Sequence, residues 1–112
     1  MKGIFPIDKF QGIRTPFYYY DTDLLRDTLR HIHAEAGKHE NFFVHYAVKA
    51  NANPKILNII CQAGLGADCV SGGEIQAAIN SGFPAKKSFM PESARVTGKS
   101  ISDWTKIFIA LM

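Results

Sequence analysis

Lys49 is the residue whose surroundings point most directly to chemistry. It closes the run His45-Tyr46-Ala47-Val48-Lys49 and is followed by Ala50-Asn51. The stretch from Phe42 to Val48 is apolar, aromatic and β-branched, and reads as a buried strand. Asn53 and Pro54 then supply a helix cap and a first-turn proline, ahead of Ile56, Leu57, Ile59 and Ile60. The pattern places an amine at the carboxyl end of a strand that feeds a helix, where α/β barrels gather their catalytic groups. An amine at the rim of a packed barrel sheds water, which favours the neutral form that attacks an aldehyde. Position alone leaves a solvated lysine opening a loop equally open.

A second candidate lies one strand further on. Asp68 falls in the strand-like stretch Gly66 to Val70, so one sheet edge would carry both Lys49 and Asp68; a polar loop residue or a helix cap is the structural alternative. In Ser71-Gly72-Gly73-Glu74, amides at a helix start are able to bind an anion. The same residues have capping-box spacing, with Ser71 as N-cap and the Glu74 carboxylate returning to the Ser71 amide, and that role suffices. Asn51 is read as ordering the turn after Lys49. His31 and His33 are two apart on a predicted helix and face different sides, which argues against a metal pair. His45 alternates with Tyr46 and is placed on the side of Ala47 and Lys49. Tyr18-Tyr19-Tyr20 reads as strand packing rather than a platform for stacking bases.

The elements that must hold these residues alternate as β-α-β-α-β-α. A short strand is predicted at 17–20. Asp21 caps a helix to Ala36 that Gly37 ends, with Leu25, Leu29 and Ile32 as its buried stripe. The strand at 42–48 comes next, then a helix from Pro54 to near Gly64, a strand at 66–70, and a helix carrying Ile75, Ala78 and Ile79 to Ser81-Gly82. Alternation at these lengths favours right-handed crossovers and a parallel sheet.

Tyr46-Ala47-Val48-Lys49-Ala50-Asn51, with Gly66-Ala67-Asp68-Cys69-Val70-Ser71-Gly72-Gly73-Glu74-Ile75 after it and Thr15-Pro16-Phe17-Tyr18-Tyr19-Tyr20-Asp21 before it, resembles the pyridoxal-phosphate decarboxylases of the alanine-racemase-like barrel fold. Within that group it is most similar to the diaminopimelate decarboxylase family, over about residues 10 to 87. The resemblance implies an α/β fold made of the first β/α units of a (β/α)8 TIM-type barrel, incomplete in this chain. It implies pyridoxal 5'-phosphate as cofactor, bonded through its aldehyde to Lys49. The acid matching Asp68 lies near that lysine, where a carboxylate favours a proton on the bonded nitrogen. Tyr46 and Ala47 line or flank the cofactor pocket, and small Ala47 leaves room beside the ring. The segments that grip the phosphate, the imidazole that stacks on the ring and the acid that pairs with its nitrogen belong to later parts of the family fold. The family works as a homodimer whose subunits complete each other's pockets.

The implied function is decarboxylation of meso-diaminopimelate to L-lysine, in lysine biosynthesis. A related ornithine/arginine or carboxynorspermidine-type decarboxylase is the second enzyme reading, since later loops set substrate choice. A complete barrel takes roughly 250 residues and this chain has 112, so the fragment itself is expected to be inactive, and a non-enzymatic truncated product is the third reading. Residues 1–87 read as the amino-terminal part of the cofactor-binding barrel, and residues 88–112 as a frameshifted or non-native tail, because Ser88 to Gly98 shows neither strand nor helix period. Re-reading those codons one base earlier, after a base lost in the Lys86-Lys87 tract, permits a strand-like string that resembles the family; two of its residues, an alanine and an aspartate, are nearly forced by Met90-Pro91 and Trp104-Thr105.

Hydrophobic content of 46% and charged content of 21% are ordinary globular values. A formal charge of +3, scattered along the chain, argues against nucleic acid as a partner. The apolar runs are too short for a membrane span, and Met1-Lys2-Gly3-Ile4-Phe5-Pro6 lacks the apolar core of a signal peptide. The expected setting is cytoplasmic, with Cys61 and Cys69 as reduced thiols.

Overall fold

The structure is a computed structural model that describes residues 5–40 and 42–84, together with the backbone of 88–89. Its elements are α1 (Ile7–Phe10), α2 (Thr22–Ala36), β1 (His45–Ala47), a single 3₁₀ turn (Val48–Ala50), α3 (Pro54–Gln62), β2 (Gly66–Asp68), α4 (Gly72–Asn80) and β3 (Ser88–Phe89). The strands form one parallel sheet in the order β1-β2-β3. His45, Tyr46 and Ala47 stand opposite Gly66, Ala67 and Asp68, and Ala67 and Asp68 stand opposite Ser88 and Phe89. Such β/α units with helical crossovers are the building blocks of parallel α/β folds.

Local hydrogen bonding explains where the helices begin. Asp21 Oδ1 accepts from the amides of Asp23 (3.1 Å) and Leu24 (2.9 Å), so two donors at the start of α2 are satisfied. Asn53 Oδ1 accepts from the Lys55 amide at 3.0 Å, with Pro54 in the first turn of α3. Ser71 Oγ accepts from the Glu74 amide at 3.3 Å. The reciprocal bond differs from the capping box expected: Glu74 Oε2 takes the Val70 amide (2.8 Å) rather than that of Ser71. The carboxylate reaches one residue further back and braces the link between β2 and α4. Past α3 the chain turns at Gly64 with φ of +87°, a left-handed conformation that costs glycine little.

The core lies where α3 and α4 pack on the sheet. Leu57, Ile60, Val48 and Cys69 are its largest fully enclosed side chains, and Ala67 and Ala78 are equally sealed. Ile56, Ile59, Leu65, Ile75 and Phe83 complete this cluster, with Leu29 as the contribution of α2. Of the predicted stripe on α2, Leu29 is buried, Leu25 packs partly against the core, and Ile32 is half-buried.

Besides the predicted 66–70 strand, which stops at Asp68, three departures from the sequence reading concern strands. Residues 17–20 are extended but belong to no ladder among the described residues. Their aromatic rings engage the α1 region instead: Phe10 meets Phe17 and Tyr19 edge-on at 5.3 and 5.1 Å, and Phe5 meets Tyr19 at 6.0 Å. The predicted strand 42–48 shortens to His45–Ala47, with Phe42 and Phe43 exposed at 60% and 77%. Both precede the start of β1 and lie outside its ladder. The third departure is β3. Ser88–Phe89 pairs in parallel beside β2 although residues 88–98 carry no strand period. Residues 90–112 lie outside the described residues, and so does most of the tail read as frameshifted or non-native over 88–112.

Candidate functional site

β1 ends at Ala47, and the chain passes at once into the Val48–Ala50 turn. Lys49 sits in the middle of this turn, beyond the carboxyl end of a parallel strand. Because the strand stops before Lys49, the two-residue alternation that would align Lys49 with Ala47 does not extend to it. Val48 points inward and is sealed in the core, while Lys49 is exposed. Among the described residues the Lys49 amine has no hydrogen-bond or ion-pair partner.

Asp68 is the last residue of β2 and stands opposite Ala47. The sheet therefore presents Lys49 and Asp68 at the same carboxyl edge, on adjacent strands. Asp68 is half-buried, and its carboxylate accepts no hydrogen bond among the described residues. The cap of α4 is Ser71, so the helix-cap alternative for Asp68 falls away. Ala47 is half-buried at the strand end. Tyr46 is half-buried too, and its hydroxyl donates to the Asn51 carbonyl at 3.2 Å. Burial pushes the Tyr46 hydroxyl above its ordinary range; the Asn51 bond works against this and the neighbouring Tyr20 adds to it. Tyr46 is thus kept protonated, as a donor needs to be.

The remaining candidates are dispersed. His31 Nδ1 lies 2.8 Å from the Asp27 carbonyl oxygen one turn earlier, and His31, His33 and His45 are all exposed. No group of three or more His, Cys, Asp or Glu able to hold a metal ion occurs among the described residues. The residue that sequence reasoning passed over is Tyr20, whose hydroxyl accepts from Asn51 Nδ2 at 3.2 Å across 31 positions. No sequence signal announces a contact of that separation.

Cys69 follows Asp68 directly and is fully enclosed, whereas Cys61 is partly exposed; both are free thiols. Burial, then the charges of Glu74 and Asp68, push the Cys69 thiol up from 9.0 to about 11. A raised value means that the folded chain holds this proton more tightly than the unfolded chain. The stability linked to this shift is fully present below pH 9 and lost as pH rises through about 11. At pH 8 a thiol-specific reagent is expected to modify Cys61 first and to reach Cys69 only on unfolding, as peptide mapping would read. Equal modification of both in the folded chain would show that the β2–α4 junction is open.

Comparison with known proteins gives this geometry a context. Residues 25–98 match the family model described as pyridoxal-dependent decarboxylase, pyridoxal binding domain; that stretch runs past residue 87, where the sequence reading set its boundary. A diaminopimelate decarboxylase of Bacteroides thetaiotaomicron is 68% identical over 87 residues, which is 78% of this chain and 22% of that protein. One from Helicobacter pylori is 44% identical over 78 residues, 70% of this chain and 19% of that protein. The crystal structure of an H. pylori diaminopimelate decarboxylase mutant complexed with L-lysine superposes with a TM-score of 0.66 at 38% identity, covering 75% of this chain and 21% of that one. The chain thus spans about a fifth of the length of the curated relatives it matches. With a lysine turn and an acidic strand end side by side on a parallel sheet, and a family match over that same stretch, the chain belongs to the pyridoxal-dependent decarboxylases, in the pyridoxal binding domain of that family.

Proposed function

We propose that this chain contributes the cofactor-bearing lysine of a pyridoxal-phosphate-dependent carboxy-lyase that converts meso-diaminopimelate to L-lysine. The observation that carries this reading is Lys49, exposed and without a partner among the described residues on a turn at the carboxyl end of β1, within a segment 68% identical to a diaminopimelate decarboxylase. The residues present fit the aldehyde end of the cofactor. A lysine already committed to an ion pair would be a poor attachment point, and Lys49 has no such partner among the described residues.

When bound, pyridoxal phosphate supplies an electron sink for the charge left as carbon dioxide departs. The part played by this chain is to hold and orient. Lys49 would hold the cofactor through Nζ, and the Asp68 carboxylate, at the neighbouring strand end, would favour a proton on that nitrogen. Ala47 leaves space at the sheet edge, and Tyr46 flanks it with its hydroxyl turned to the backbone. The same reading takes the whole protein to be a cytoplasmic homodimer, on the family resemblance. No helix among the described residues is long and apolar enough to cross a membrane.

The test is carbon dioxide release by a full-length protein carrying this segment, on meso-diaminopimelate and, separately, on ornithine and arginine. Turnover of diaminopimelate is expected to exceed the others by on the order of 10² or more, since a site built for a polar group rejects substrates that leave its partners unmatched. Faster release from ornithine or arginine would overturn the substrate assignment and leave the cofactor assignment standing.

A further inference from the structure

An exposed lysine with no side-chain partner can be aimed only by the backbone that carries it. Around Lys49 that backbone is tied at several points. On one side Val48 is sealed in the core. Across the turn, the Tyr46 hydroxyl donates to the Asn51 carbonyl at 3.2 Å, so the residues before and after the turn are joined directly. The Asn51 side chain uses both its ends: Oδ1 accepts from the Asn53 amide at 3.0 Å, and Nδ2 donates to the Tyr20 hydroxyl at 3.2 Å. Asn53 in turn caps α3, and Tyr20 directly precedes Asp21, the cap of α2. The turn is thereby linked to the starts of two helices, and Asn51 is the one residue that touches every arm.

We propose that Tyr46, Asn51 and Tyr20 are positioning residues that clamp the Lys49 turn in one conformation and so present its amine to an aldehyde at the carboxyl edge of the sheet. The inference rests on Lys49 being the attachment point and adds what orients it. The three residues act through the turn, with no contact to the cofactor required. Loss of a clamp bond leaves the strand, the helices and Val48 in place while the turn samples other conformations, so Lys49 meets the aldehyde less often in a productive orientation.

The experiment uses the 112-residue chain with pyridoxal phosphate as probe, borohydride to trap what has bonded, and peptide mass spectrometry to count the label at Lys49 against exposed Lys55. Amide hydrogen exchange over residues 48–51 is read in parallel, with circular dichroism to confirm folding. Unchanged protein should label Lys49 in preference to Lys55. Tyr46→Phe and Asn51→Ala should each lower the Lys49:Lys55 ratio by about threefold to tenfold, the size a single hydrogen bond carries, and speed exchange across the turn. Tyr20→Phe, at an exposed site remote from the core, should give a smaller change in the same direction and serves where the others fail to fold. Asn51→Asp keeps an acceptor for the Asn53 amide and for the Tyr20 hydroxyl, and should restore most of the ratio. Unchanged exchange and an unchanged ratio in Tyr46→Phe and Tyr20→Phe would overturn the clamp. Absence of any Lys49 preference in the unchanged chain would overturn the attachment reading itself. Faster exchange in the variants with an unchanged Lys49:Lys55 ratio would reduce the clamp to a purely structural role and overturn its positioning function.

Discussion

Replacing Lys49 with alanine is expected to abolish the borohydride-trapped pyridoxal label on the peptide that spans β1 and the following turn. In a full-length protein carrying the segment, decarboxylation should fall by on the order of 10³ or more, because a covalent anchor and its orientation are lost together. The structural cost should be small. Lys49 is exposed and has no partner among the described residues, and Val48 beside it supplies the burial that holds the turn. A surface substitution of this kind changes stability by about 0.5 kcal/mol or less, so circular dichroism and thermal unfolding should match the parent chain. Loss of label with unchanged folding would identify Lys49 as the reactive group. Label retained on that peptide in Lys49→Ala would mean that another group bonds the aldehyde, and the assignment would fail. The Asp68 carboxylate belongs to the same expectation: it stands ready at the adjacent strand end and has nothing to act on once the amine is gone.

The largest effect on stability is expected from Leu57→Ala. Leu57 is completely enclosed in α3, within the cluster that includes Ile60, Val48 and Ala67. Truncating such a leucine removes its transfer free energy and leaves a cavity, at a cost of about 2–5 kcal/mol. Small domains are stable by only about 5–15 kcal/mol, and this core rests on short strands and two nine-residue helices. Urea denaturation followed by far-ultraviolet circular dichroism should show a midpoint shifted sharply downward, or no folded baseline at all. Because Val48 packs in that same cluster and directly precedes Lys49, the substitution should also lower the label at Lys49 in whatever fraction remains folded. A shift below about 1 kcal/mol would show that α3 is not close-packed on the sheet.

The helix boundaries were legible in the amino-acid sequence because their causes are local. Asp21, Asn53-Pro54 and Ser71 each satisfy an amide two or three residues away, and such bonds form whatever the rest of the chain does. The same holds for the order of elements from α2 to α4 and for Lys49 at a strand end, since an apolar run followed by a cap and a proline constrains both sides of the lysine. Asp68 on the neighbouring strand end follows from one β/α repeat. The resemblance to pyridoxal-phosphate decarboxylases could be read from those stretches, and the family match confirms it.

Tertiary structure decided what depends on distant partners. A strand exists only when a second backbone lies beside it, so Phe17 and Tyr19 joined a ring cluster with Phe5 and Phe10 and not the sheet, while Ser88–Phe89, unremarkable in pattern, gained a ladder from the edge of β2. Phe42 and Phe43 looked buried by type, yet burial requires a covering layer and they stand exposed. Where strand β1 stops was equally beyond the sequence: its alternation would have carried Lys49 onto the face of Ala47, whereas the backbone turns at Val48 to bury that side chain. The Tyr20–Asn51 bond shows the limit most plainly. Its 31-residue separation is closed only when α2 and the sheet are packed together, and no local propensity encodes that meeting.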